Sequence, residues 1–332
     1  MTTLRIGTRG SKLALWQANW VASELCKFQP DLATQIVAIQ TMGEKEPDFL
    51  LTGVESKGFF TGEIEAALLE GSIDVAVHSL KDLPTQLPEG LEIGAYCKRE
   101  YARDVLITKS GKTFANLPAH TRIGTSSLRR MAQIRNLRPD IECVDIRGNI
   151  DTRLKKLEES GKYDGIVIAA AGIIRIGRQD AITEYLAEEI CLPAPGQGVI
   201  AVEISSERAD IRNLVTPINH QPTEYEARAE RQFLYALEGG CQVPIGARAR
   251  YSAGALDDGT LELSGMVASL DGSKVVRVRE AGAAPVASST DYLPAVLLTV
   301  PELLGNQAAA NALSKGARKI LEEIRRAGGR AE

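Results

Sequence analysis

Short apolar runs recur along the first two thirds of the chain, and each turns polar within a residue or two. Leu4-Arg5-Ile6-Gly7-Thr8 runs into Arg9-Gly10-Ser11, the pattern of a strand entering a turn. Leu13 to Cys26 then has helical spacing, with Leu13, Trp16, Trp20 and Val21 as candidates for one face. Ile36 to Thr41 predicts a second strand, residues 42–58 a loop without period, and Phe59 to Gly71 a helix closed by a C′ glycine. Asp74 to Val77 reads as a short strand of the kind buried in a parallel sheet. It gives way at once to His78-Ser79-Leu80-Lys81-Asp82-Leu83-Pro84, which Pro84 ends because it offers no N–H. Ligands of open α/β sheets collect at the carboxyl ends of strands, so residues 78–82 stand where chemistry is expected.

The pattern then repeats. Arg122-Ile123-Gly124-Thr125-Ser126-Ser127 echoes Arg5-Ile6-Gly7-Thr8-Arg9-Gly10, and Gly161-Lys162-Tyr163-Asp164-Gly165-Ile166-Val167 echoes Gly71-Ser72-Ile73-Asp74-Val75-Ala76-Val77. Two echoes in the same order predict two related α/β domains facing each other across a cleft. Cys97 to Arg103 and Leu192 to Gly198 are the expected connections, and Val199 to Ile204 a strand returning to the first domain. From Pro222 the character changes. Thr223 to Glu238 predicts a helix, and residues 245–256, 260–270 and 274–280 alternate as an antiparallel meander. Residues 282–311 are rich in Ala, Pro and Ser and predict no element, while Leu313 to Ala327 predicts a closing helix. The expected domains are 1–98 with 199–218, then 103–194, then 222–332 as a small α+β unit with a three-stranded antiparallel sheet.

Composition narrows the function classes. At 332 residues, 44% apolar and 25% charged, the chain has the makeup of a soluble globular protein of two or three domains. No apolar run approaches a membrane span, and the start lacks the basic and apolar regions of a signal peptide, so a protein of the cytoplasm, or alternatively of a plastid stroma, is expected. A net charge of −4 leaves no global positive field for nucleic acid. Five scattered cysteines and three scattered histidines supply neither a disulfide framework nor metal-ligand spacing, so no metal is expected. No glycine-rich phosphate-binding motif occurs at a strand–helix junction.

Local charge says more. Residues 122–153 hold seven arginines against four acids, a net +3. Thr125-Ser126-Ser127-Leu128-Arg129-Arg130 follows a strand and opens a helix, so its hydroxyls and free N–H groups suit an anion. Arg147 sits at another strand end, Arg153 lies in the next helix, and Arg175 follows an apolar strand and could close the ring. Such a ring of guanidinium forks suits a ligand with many carboxylates or phosphates. Arg135 and Arg138 are set aside as surface arginines with packed stems. Lys81 beside Asp82 favours the charged form of both, and His78 reads as a structural hydrogen-bonding residue. Cys241, in Glu238-Gly239-Gly240-Cys241-Gln242-Val243-Pro244, sits in a tight, exposed loop that gives access to its thiolate. These residues leave open both an anion-binding module without chemistry and an enzyme.

Five blocks, His78 to Pro84, Gly124 to Arg130, Arg147-Gly148-Asn149, Pro195-Gly196-Gln197-Gly198 and Glu238 to Pro244, resemble the porphobilinogen deaminase (hydroxymethylbilane synthase) family in order and spacing across nearly the whole chain. The resemblance implies two domains of the periplasmic-binding-protein type II kind and a small third one, in a monomer. It implies a dipyrromethane cofactor joined by a thioether to Cys241, and condensation of four porphobilinogens to hydroxymethylbilane with loss of ammonia. Asp82 is then the general acid/base, hydrogen-bonding the pyrrole N–H and stabilising the cationic azafulvene. Lys81, Thr125, Ser126, Ser127, Arg129 and Arg130 are the cofactor binders, and Arg9, Ser11, Lys57, Arg147, Arg153, Arg175 and Gln197 the substrate binders. The chain departs from the family in lacking a second lysine within Thr52 to Ser56 and in the length of 282–311. The missing lysine keeps a degenerate deaminase in view.

Overall fold

The computed structural model describes residues 3–41, 61–237, 243–253, 259–283 and 299–328. One five-stranded sheet is built from β1 (Leu4–Arg9), β2 (Thr34–Ile39), β3 (Val75–Ser79) and β4 (Leu91–Tyr96), with β10 (Ile200–Ser205) inserted from far along the chain in the order β2-β1-β3-β10-β4. β1 runs parallel to β2 and β3, whereas β10 is antiparallel to both of its neighbours. A second five-stranded sheet uses β5 (Asp104–Thr108), β6 (Arg122–Gly124), β7 (Glu142–Val144), β8 (Gly165–Ala169) and β9 (Glu184–Tyr185), in the order β7-β6-β8-β5-β9. The two orders correspond strand for strand, and in each the fourth place is filled by a strand arriving across a connection from the other sheet. The expected return of the strand after Val199 is therefore observed, as β10.

The echoed residues occupy the same places. Ile6 and Gly7 of β1 lie against Val75 and Ala76, while Ile123 and Gly124 of β6 lie against Gly165 and Ile166. Each preceding arginine is clamped by an aspartate just before the neighbouring strand. The Arg5 backbone N–H and Nε donate to Asp74 Oδ2 at 2.8 and 3.0 Å, and those of Arg122 to Asp164 Oδ2 at 2.8 and 3.1 Å.

Helices cover the sheets. α1 (Lys12–Phe28) starts at Ser11, whose hydroxyl accepts from the Ala14 N–H at 3.3 Å. Its buried face is Ala14, Gln17, Ala18, Val21, Ala22 and Leu25, so of the four expected residues only Val21 is buried, and Trp16 stays 38% exposed. Small residues let the helix lie close to the strands, and the indoles are pushed to its flanks. α2 (Gly62–Leu69) is shorter than expected and ends toward Gly71, which takes the left-handed conformation at φ +69°. α3 (Leu128–Leu137), α4 (Ile150–Glu159), α5 (Ala170–Arg175) and α6 (Ala209–Val215) follow. Among the described residues, no helix is long and apolar enough to cross a membrane.

The C-terminal unit begins with α7 (Gln221–Ala236), which has Pro222 in its first turn, and continues through β11 (Ile245–Ser252), β12 (Thr260–Ala268) and β13 (Val275–Ala283) as the expected antiparallel meander. Two corrections follow. The stretch 282–311 contains a helix, α8 (Val300–Ala312), announced by a capping box of Thr299 and Glu302 and by Pro301, a start signal that its alanine-rich composition obscured. The expected closing helix is broken at Gly316, where φ is +106°, and resumes as α9 (Arg318–Gly328). Phe233, Leu261, Leu263, Val278, Leu304 and Ala308 form the core of this unit. Glu230 of α7, fully buried, accepts from Arg99 at 3.0 and 3.2 Å and from the Gly196 N–H at 2.7 Å, tying both connections between the sheets to the C-terminal unit.

Candidate active site

The polar end of β3 is a single 3₁₀ turn, Leu80–Asp82. Residues three apart eclipse in this geometry, so Leu80 and Leu83 fall on one side and Lys81 and Asp82 on the other. The leucines are buried with Val199, Ala201 and Ala227, which leaves Asp82 exposed. The Leu80 N–H donates to the Val199 carbonyl at 3.0 Å. Gly196, at φ +73°, closes over the turn so tightly that a Cβ there would stand 2.8 Å from Leu80 Cγ. Thus the Pro195-Gly196-Gln197-Gly198 block shapes the seat of the Asp82 turn.

His78 points into the sheet. It is buried, with Nε2 3.0 Å from Glu203 Oε2 on β10. Glu65 of α2 shares this interior, and burial first, then the Glu203 charge, raises its pKa. Lys81 departs from expectation. Burial brings its ammonium down to about 8 and outweighs the pull of Asp82, with Arg130 and Arg129 opposing the charge as well.

Facing this turn is the end of β6 with the start of α3. Arg129 and Arg130 are both buried against one acid, Asp104, at 2.8 and 2.7 Å. Burial disfavours the Asp104 anion, but the two guanidiniums outweigh it and hold the carboxyl well below its ordinary range. The cluster therefore carries one positive charge in excess. Arg129 also donates to the Leu192 carbonyl at 2.6 Å, and Arg130 to that of Val167 at 3.1 Å. Thr125 is buried, its Oγ1 accepting from the Ser127 N–H at 3.3 Å, while Ser126 donates to the Ile146 carbonyl at 2.6 Å. Ser127 stands at the N-cap of α3, its carbonyl accepting from the Met131 N–H at 2.9 Å while its side chain makes no cap bond, so the hydroxyl and the first-turn amides suit an anion. Half-buried Arg153 donates to the Gly148 carbonyl at 2.8 Å. Burial and then Arg130 lower its pKa to about 10, with Asp145 and Asp82 acting the other way.

The structure thus brings Lys81, Asp82, Arg130 and Arg153 into one electrostatic neighbourhood, drawn from both sheets. Arg9 ends β1, Ser11 is engaged as a helix cap, and Arg147 lies 3.3 Å from Asp145. Arg175 and Gln197 are placed elsewhere, in the crossing itself. Arg175 is buried, donates to the Gly198 carbonyl at 2.7 Å and lies over the Trp16 ring at 6.0 Å. Gln197 is buried and donates to Ala102 and Asp104. Lys57 and Cys241 lie outside the described residues. Asp104, Arg99 and Glu230 escaped the sequence reading. An acid opening an apolar strand, as Asp104 opens β5, was a usable signal for Asp104, whereas for Arg99 and Glu230 only the tertiary fold reveals the pairing.

Comparison with known proteins identifies the family. Residues 4–213 match the family model "Porphobilinogen deaminase, dipyromethane cofactor binding domain", and residues 224–295 match "Porphobilinogen deaminase, C-terminal domain". A porphobilinogen deaminase of Desulfitobacterium hafniense is 49% identical over 98% of this chain and 98% of its own. That of Carboxydothermus hydrogenoformans is 49% identical over 97% of each, and that of Syntrophobacter fumaroxidans 48% identical over 98% of each. With its Asp-bearing turn set opposite an arginine-rich helix start, the chain belongs to the porphobilinogen deaminase family.

Proposed function

We propose that this protein condenses four porphobilinogen molecules head to tail, releasing ammonia at each step and giving hydroxymethylbilane. The observation that carries the reading is Asp82, an exposed acid on a pinned turn beside cationic groups of both sheets. Each substrate pyrrole carries an acetate and a propionate, so a growing chain is a polyanion. Lys81, Arg153 and the surplus charge of the Arg129–Arg130–Asp104 cluster answer that requirement.

The donor set also fits a dipyrromethane, whose two rings carry four carboxylates. Lys81, Ser127, Arg129 and Arg130 would hold them, with Thr125 and Ser126 shaping the loop, and Cys241 would form the thioether. When bound, the dipyrromethane supplies the pyrrole carbon to which substrate is joined. The chain's own residues do the rest. Asp82 accepts the substrate pyrrole N–H, stabilises the positive charge that develops as ammonia departs, and takes the ring proton after coupling. A fixed carboxylate beside developing charge needs no reorganisation at the moment of reaction. Arg9, Ser11, Lys57, Arg147 and Arg153 complete the carboxylate contacts in this reading, and Arg175 and Gln197 act from the crossing. Residues 1–98 with 199–218 carry the acid, 103–194 the cations, and 222–332 the anchor, in a monomer working in the cytoplasm.

Intact mass spectrometry before and after incubation with porphobilinogen tests the proposal. The expected result is a chain heavier by one dipyrromethane, gaining further pyrrole increments with substrate, and a Cys241→Ser chain without the adduct. A bare, inert chain purified from cells with a working tetrapyrrole pathway would falsify the proposal.

A further inference from the structure

The turn carrying Asp82 is held from both sides, and the downstream hold comes from the C-terminal unit. After the turn, Leu83, Pro84 and Thr85 leave three successive backbone carbonyls to be satisfied away from any strand ladder. All three accept from one side chain, Arg231 of α7. Its Nη1 donates to Leu83 at 3.4 Å, and its Nη2 to Pro84 at 2.7 Å and Thr85 at 3.1 Å. One helical turn further on, Tyr235 Oη accepts from Gln86 Nε2 at 3.1 Å. The glutamates on α7 are taken by other cations: Glu224 pairs with Arg228, Glu226 with Arg248, and Glu230 with Arg99. A guanidinium is a planar fork of fixed geometry, so three carbonyls gripped by one fork set the direction in which the chain leaves Asp82.

We infer that Arg231 is a positioning residue, holding segment 83–85 so that Asp82 is presented to substrate in a single geometry. This rests on the acid/base role proposed for Asp82. From Arg231 the helix runs five residues, about 7.5 Å at 1.5 Å per residue, to Ala236, five residues before Cys241 in sequence. One rigid rod thus grips the Asp82 turn and leads into the loop proposed to anchor the cofactor.

The test uses the full chain with Arg231→Met, which keeps the stem and loses the fork, and Arg231→Lys, which keeps the charge on one nitrogen. Both are expected to retain the adduct mass and the cooperative melt of the parent. Since misplacement by about 1 Å costs on the order of 10²-fold, kcat of Arg231→Met is expected to fall about 10- to 100-fold with KM little changed, and Arg231→Lys to recover part of the loss. In an Asp82→Asn background the same change is expected to cost under about twofold more, as for residues acting as a unit. Normal turnover in Arg231→Met, or an equal loss in both backgrounds, overturns the inference and leaves Asp82 in place. Should Arg231→Met fail to accumulate, Arg231→Lys carries the same cycle. Normal turnover in Asp82→Asn alone removes the reading beneath it instead.

Discussion

Arg5 and Arg122 stand at the same point of two matching sheets, each held by an aspartate through its backbone N–H and its guanidinium. Followed one strand over, the sheets diverge. Counting from Asp74 and Asp164, Lys81 and Asp82 correspond to Ala171 and Gly172. The first sheet ends in an exposed acid on a 3₁₀ turn, and the second continues directly into α5. At Gly172 a Cβ would stand 2.4 Å from Ile150 Cδ1, so an acid there would have to displace that side chain. The cations of the second sheet come one strand earlier, at Ser127 to Arg130. The repeated sheet supplies the frame, and the strand ends, which the frame does not constrain, carry the acid in one sheet and the cations in the other.

Removing the acid is the sharpest way to break this division. Asp82→Asn is expected to keep the fold and the adduct while losing on the order of 10²–10⁴-fold in turnover, the range for acid/base groups. Single-turnover assays with porphobilinogen check it, and near-normal rates would take Asp82 out of the chemistry.

Breaking the cation side acts on stability first. Asp104 is fully buried and shared by Arg129 and Arg130, so Asp104→Asn leaves two guanidiniums without a counter-charge. A cost of about 3–5 kcal/mol in denaturant unfolding is expected, because desolvation of the arginines is no longer offset. An unchanged midpoint would show the cluster to be hydrated and loosely held.

A pH profile sharpens the contrast further. Burial sets Lys81 at about 8 against 10.5 for an ordinary lysine, so its neutral form appears well before that of surface lysines as pH rises. If Lys81 holds a carboxylate, activity is expected to fall as pH rises through about 8, and Lys81→Arg to move that limb upward, since a guanidinium stays charged. A limb that stays in place in Lys81→Arg assigns it to another group.

Local physics explains which features were legible. Strands, turns and the repeat were readable because apolar runs with abrupt polar ends are set by short stretches of chain, as in Val75 to Asp82. The Asp82 turn and the Ser127 to Arg130 helix start were readable for the same reason. Trp16 and Trp20 misled, because hydrophobicity ranked the indoles above the alanines that the sheet needs for close approach. Burial reversed the expectation for Lys81, and burial is a tertiary quantity. Glu230, which joins Arg99, Gly196 and Ala249, was invisible because its partners lie up to 131 residues away.

The smallest expected effect tests the repeat itself. The two Arg–Asp clamps have the same bonds but different surroundings, with the Asp74 side chain 9% exposed and that of Asp164 43%. Asp74 also has Arg208 at 3.5 Å, whereas Asp164 answers to Arg122 with only a weaker pull from Lys109. A hydrogen-bonded charge withdrawn from water leaves more unsatisfied when its partner is removed, and a solvated one is replaced by water and screened by salt. Asp74→Asn is therefore expected to lower the melting temperature more than Asp164→Asn, and only the Asp164 variant's shift is expected to vanish in high salt. Equal shifts would mean that burial adds nothing to the clamp, and that the geometry of the arginine fork alone gives both sheets their shared starting point.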